Sequence, residues 1–168
     1  MYENRSANIL HSFRLPAYNE IPDVGLYLDQ VVKYINSFFS DFPEMNVTPS
    51  MISNYVKLKI ISSPHKKTYS RDQIAGFIFV VCVKTVLSMD NIRECLSMVP
   101  TFPAVEDAYR FFTDKMQIIL DLFDEEKIEY TGTYANETEA ALTKIVIAVV
   151  HKMYLERYFA LRAQEKMK

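Results

Sequence analysis

The chain has 168 residues, 49% of them hydrophobic and 24% charged, with a formal net charge of −2. Those proportions belong to a folded chain of one or two domains and exclude a wholly disordered, collagen-like or low-complexity one. Three dispersed glycines (Gly25, Gly76, Gly132) exclude a glycine-rich phosphate loop, and two cysteines (Cys82, Cys95) exclude a disulfide framework or a cysteine metal motif.

In chain order, residues 1–12 carry charges and no apolar core, so no secretion signal is expected. Residues 13–23 hold two prolines and read as an extended lead-in. A helix is predicted over about 24–40, with Asp23 as N-cap and Leu28, Val31, Val32, Ile35 and Phe39 as its buried face. A turn containing Pro43 follows. The next helix covers about 49–59, because Thr48 is a good N-cap and Pro49 suits the first helical position. Residues 60–69, around Pro64, read as a short hairpin or extended loop carrying Lys66 and Lys67.

Ser70 and Gln73 have capping-box spacing and open a helix over about 71–87. It is apolar on most sides and should be the central core helix. Its apolar run, 74–83, is the longest in the chain and too short to span a bilayer, so a cytoplasmic protein is expected. A short helix follows Ser88. Pro100 and Pro103 bracket a boundary between a region at 13–100 and one at 101–168. Beyond it the pattern predicts long amphipathic helices over 104–127 and 137–165, joined by a turn at 130–136. Asp124, Glu125 and Glu126 read as a solvated acidic cluster.

Charge is unevenly distributed. Residues 45–71 contain no Asp or Glu but hold Lys57, Lys59, Lys66, Lys67 and Arg71, a local charge of +5 on an otherwise acidic chain. At 100° per residue, Ser50, Ser53, Asn54 and Lys57 share one arc of the 49–59 helix, and Met51, Ile52, Tyr55 and Val56 oppose them. A helix entering a DNA major groove needs that division, since Asn can pair with adenine and Lys can reach guanine or phosphate. The bland alternative is an ordinary solvated helix face.

Two resemblances extend this reading. Tyr55, Ile60, Ile61, Pro64, Tyr69 and Ser70 fall in the order found in MerR-type winged-helix DNA-binding domains, and the segment from Val86 to Ile92 is similar to the opening of that family's fourth helix. The chain departs from that pattern at Ser53 and Asn54, where Arg and Tyr are usual. Pro22, Asp23, Leu26, Tyr27, Asp29, Gln30 and Val31, with Met51, Ile52, Asn54, Tyr55, Val56 and Lys57, resemble the signatures of a bacterial family known as domain of unknown function 1836. That family is regarded as transcriptional regulators by analogy of fold.

The expectation is therefore a mainly α protein: a MerR-like winged helix-turn-helix with a small β wing at 13–100, then a helical dimerisation or effector region at 101–168. Ser50, Ser53, Asn54 and Lys57 would enter the major groove of double-stranded DNA. Lys59, Lys66, Lys67 and Arg71 would neutralise phosphates. The partners implied are DNA, a second copy bound through the C-terminal helices, and an effector of unspecified chemistry. No catalytic constellation, metal site, cofactor or membrane contact is expected. His11, His65 and His151 have no ligand-spaced partners. The C-terminal aromatics, among them Tyr109, Phe112, Tyr154 and Phe159, read as core or dimer seam. The alternative is a helical protein-interaction module that kept the fold and lost DNA binding, as the acidic net charge and the Ser53 departure allow.

Overall fold

Ser70 starts the apolar helix on which the two C-terminal helices pack. Its hydroxyl accepts the Gln73 backbone N–H at 3.3 Å, and the Gln73 side-chain oxygen accepts the Ser70 N–H at 2.9 Å, a reciprocal capping box. In the computed structural model, which describes residues 9–124 and 130–167, this helix runs Arg71–Val83 and buries nine residues, from Ile74 to Val83. Full burial of each large apolar side chain contributes roughly 1.5–3 kcal/mol.

The described residues form six helices: α1 (Leu28–Asn36), α2 (Pro49–Lys57), α3 (Arg71–Val83), α4 (Met89–Ser97), α5 (Val105–Asp124) and α6 (Glu137–Glu165). Two short strands, β1 (Leu26–Tyr27) and β2 (Thr68–Tyr69), pair antiparallel with Leu26 opposite Tyr69. The fold is thus mainly helical. α1 packs on α2, while α5 and α6 pack on each other and on α3. Local caps set the helix starts: Ser88 receives Asn91 N–H at 3.2 Å, and Asn136 receives Glu139 N–H at 2.9 Å.

One buried cluster extends from Leu10 to Met153 and includes Ile35, Phe39, Phe77, Phe112 and Met116. It runs across the Pro100–Pro103 segment, where a 3₁₀ turn at Val99–Thr101 leads into α5. The buried Tyr109 hydroxyl of α5 donates to the Pro16 carbonyl at 2.9 Å, tying the lead-in to α5. Phe159, in contrast, is 61% exposed. Among the described residues no helix is long and apolar enough to cross a membrane.

The first helix differs most from expectation. It begins at Leu28, not 24, because Leu26 and Tyr27 are drawn into the strand pair and the Gln30 side-chain oxygen accepts the Tyr27 N–H at 2.9 Å. Asp23 is not its cap; it forms an ion pair with Arg71 at 3.7 Å. The helix ends at Asn36 rather than 40, in a run of tighter turns: Phe38 N–H reaches Ile35 O and Phe39 N–H reaches Asn36 O. Within 60–69 the hairpin is confined to His65 and Thr68, which pair across Lys66 and Lys67. Ile60 and Ile61 are core residues, and Thr68 and Tyr69 also pair with β1. α2 stops at Lys57 and α3 at Val83, each short of the expected end. The 1–8 part of the lead segment, the predicted end of α5 at 127 and the side chains of the acidic cluster at Asp124, Glu125 and Glu126 lie outside the described residues.

Candidate nucleic-acid interface

Local chemistry builds α2. The Thr48 hydroxyl accepts the Met51 N–H at 3.2 Å, and Pro49 occupies the first position, where its missing N–H does no harm. Ile52 and Tyr55 are buried, and Met51 and Val56 are half-buried. Ser50, Ser53, Asn54 and Lys57 are all exposed on the other side. The structure therefore brings together the four residues of the predicted polar arc.

Long-range contacts hold this helix in place. The Asn36 side chain donates to Val47 O at 2.9 Å and accepts from Val47 N–H at 2.8 Å, joining the end of α1 to the entry of α2. At the other end, Ile60 N–H bonds Tyr55 O at 2.9 Å and Lys59 N–H bonds Val56 O at 2.9 Å. These two bonds make a Schellman stop, which places Lys59 in the left-handed region at φ 56°. Arg93 of α4 donates to the Leu58 carbonyl at 3.1 Å, adding a positive charge where the helix dipole is negative.

The segment after α2 is clamped by α3. Gln73 Nε2 donates to Ser62 O at 2.9 Å and Ser63 O at 3.0 Å. A tight turn follows, with His65 and Thr68 exchanging backbone bonds at 3.0 and 2.9 Å. Its two central residues are Lys66 and Lys67, at φ 47° and 68°. Consecutive left-handed residues define a type I′ turn, which favours Asn-Gly. Both lysines are exposed, as is Lys59. Thr68 approaches the chain at Gly25 so closely that a Cβ there would lie 2.6 Å from its hydroxyl oxygen. Only glycine admits that approach.

Arg71 is placed differently. Its Nε donates to Ile21 O at 2.7 Å, its guanidinium pairs with Asp23, and it stacks 5.4 Å over the Tyr18 ring. These bonds tie it to the lead-in segment. Asn36, Gln73 and Arg93 were missed by sequence reasoning as positioning residues. Gln73 was legible only as a cap. Tyr27, assigned to a helix, sits on β1 opposite Thr68 and is 58% exposed; Gly25 just before it was the available signal.

Among the described residues no group of three or more His, Cys, Asp or Glu is placed to hold a metal ion. Both cysteines are buried, and burial raises their thiol pKa, that of Cys95 to about 11.

A family model described as a domain of unknown function (DUF1836) matches residues 16–112, from the lead-in into α5. No curated protein and no solved structure matches the chain.

Proposed function

We propose that this chain, which belongs to the DUF1836 family, is a DNA-binding transcriptional regulator built on a MerR-like winged helix-turn-helix. In this reading α1 and α2 are the helix-turn-helix pair, and Ser50, Ser53, Asn54 and Lys57 read base edges in the major groove. The His65–Thr68 turn is the wing, and Lys59, Lys66 and Lys67 contact phosphates. Arg71 braces the lead-in and takes no part. α5 and α6 would join two copies, with Leu155 and Phe159, 47% and 61% exposed, as the apolar contact.

One observation carries this reading. Among the described residues, positive φ occurs at Lys59, Lys66 and Lys67 alone. A left-handed L-residue costs roughly 1–2 kcal/mol, which glycine would relieve. The strain thus sits on three lysines that follow α2 in the acid-free stretch of the chain. Strained backbone is retained where a side chain does something that a relaxed residue cannot; here that is positive charge held at fixed positions.

Selection of genomic fragments on the purified protein, followed by binding across a salt series, tests this. A dimer touching about six phosphates should lose affinity with a log–log salt slope of about −5. Replacing Asn54 and Lys57 by Ala should abolish sequence preference. The alternative, a protein-interaction module without DNA binding, is favoured by the acidic net charge of −2. It predicts no enriched sequence and partner binding that is nearly insensitive to salt.

A further inference from the structure

Between the segment that leaves α2 and helices α3, α4 and α5 lies a partly enclosed cavity of about 200 Å³. Its walls come from five places: Ile60 and Ile61 at the exit of α2, Ala75 and Phe79 of α3, Leu96 of α4, Phe112 of α5 and Leu142 of α6. Asp72 is the one charged residue of the lining, and it is exposed. Outward from Asp72 the cavity continues into a shallow mouth edged by Ser62, His65 and Gln73. The remaining polar lining is already engaged: the Tyr109 hydroxyl bonds Pro16 O, and the Cys95 thiol is neutral and buried.

Small residues keep this volume open. Ala75 and Ala108 line it, and so does Gly76, in the middle of α3. A Cβ on Gly76 would lie 2.7 Å from the Ile61 Cδ1 atom, so glycine there seats Ile61 directly against α3. Unfilled apolar volume in a core is destabilising. A volume left open at that cost is suited to an occupant.

We infer that this cavity binds a small aryl-alkyl amine, its ring among Ile61, Phe79, Leu96 and Phe112 and its ammonium at Asp72. Size and charge set the class. An apolar cavity of about 150 Å³ holds benzene, so this one takes a single ring with a short chain. The Asp72 carboxylate receives the Tyr18 hydroxyl on Oδ1, and an ammonium supplies the opposite charge that the lining lacks. Because Ile60 and Ile61 are both a wall of the cavity and the anchor of the α2 exit, occupancy would bias the position of α2. That last step rests on the DNA-binding reading; ligand binding itself does not.

Phenethylamine is the probe, with phenylethanol and phenylacetate as neutral and anionic controls of similar shape. The full chain is titrated without DNA, following methyl resonances of Ile61, Leu96 and Leu142 and the melting temperature. The expected result is saturable shifts at those methyls with the amine, binding at least tenfold weaker for the alcohol, and none for the acid. Asp72→Asn, which keeps an acceptor for Tyr18, should weaken the amine at least tenfold and leave the alcohol unchanged. Ala108→Leu, which fills the volume, should abolish both. Equal affinity for amine and acid, an unchanged amine affinity in Asp72→Asn, or shifts confined to other residues would overturn the assignment. If the amine binds as described and no DNA is selected, the regulator reading fails while the site stands; if DNA is bound and the amine is not, the site fails alone.

Discussion

The Asn36 amide closes a ring of two hydrogen bonds with the backbone of Val47, at 2.9 and 2.8 Å. Asn36 is the last residue of α1, and Val47 stands two positions before α2. One side chain therefore fixes how the two helices of the proposed DNA-reading pair meet. Val47 is buried and lies outside helix and strand, so its N–H and C=O depend on this amide. Asn36→Ala should destabilise the fold by about 2 kcal/mol, the sum of two net hydrogen bonds. Chemical denaturation measures this, and a loss below about 0.5 kcal/mol would show that water replaces the amide.

Lys59 occupies the position after the α2 C-cap, where glycine is usual. Lys59→Gly should stabilise the protein by up to about 1 kcal/mol through relief of left-handed strain, less the added freedom of the unfolded chain. The same change removes a cation from the proposed phosphate contacts. Melting temperature and DNA affinity should therefore move in opposite directions.

The wing turn gives a sharper version of that test. Lys66→Asn with Lys67→Gly installs the preferred type I′ pair. Stability should rise or hold, while the log–log salt slope of DNA binding becomes shallower by about 2 per protomer. A purely structural turn would gain stability and leave DNA binding unaltered.

Cys82 and Cys95 are buried with thiol pKa values raised by desolvation, that of Cys95 to about 11. Thiolate is the reactive form, so both should resist alkylation at neutral pH. Labelling should require opening of the fold and track denaturation. Rapid labelling of Cys95 in the native protein would instead mark it as an accessible redox site.

Tyr18 is shifted upward, to about 12, by partial burial and by its hydrogen bond to Asp72. A folded pKa above the unfolded one means that its contribution is fully present below about pH 10 and is lost as pH rises toward 12. Tyr34, Tyr55, Tyr69 and Tyr109 shift in the same direction through desolvation. Alkaline denaturation should thus be steep, and Tyr18→Phe should flatten its early part. At the acid end the sign reverses: Arg14 and the Ala17 N–H hold Glu20 below its usual value, so that contribution is lost as pH falls.

Much of the helical framework was legible. Thr48 with Pro49, Ser70 with Gln73 and Ser88 each mark a helix start found in the structure, because a cap is a bond between residues three apart. The outward placement of Ser50, Ser53, Asn54 and Lys57 was legible for the same reason, since 3.6-residue periodicity sorts polar from apolar side chains. What escaped were bonds across long stretches of chain. Arg71 reads as one more cation of a basic segment, yet its partner Ile21 lies 50 residues away.

The sequence by itself therefore determined most of the helices, the caps at Thr48, Ser70 and Ser88, the apolar core helix and the acid-free stretch, products of short-range hydrogen bonding and periodic burial. Tertiary structure decided the rest. Pairing of Leu26 with Tyr69 shortened the first helix, and packing of Ile60 and Ile61 into the core confined the hairpin to a two-lysine turn between His65 and Thr68. The cavity beside Asp72 likewise exists only where five separate segments meet. Such contacts form when burial of apolar surface outweighs the entropy of closing long loops, a balance set by the whole chain and not by any local stretch of it.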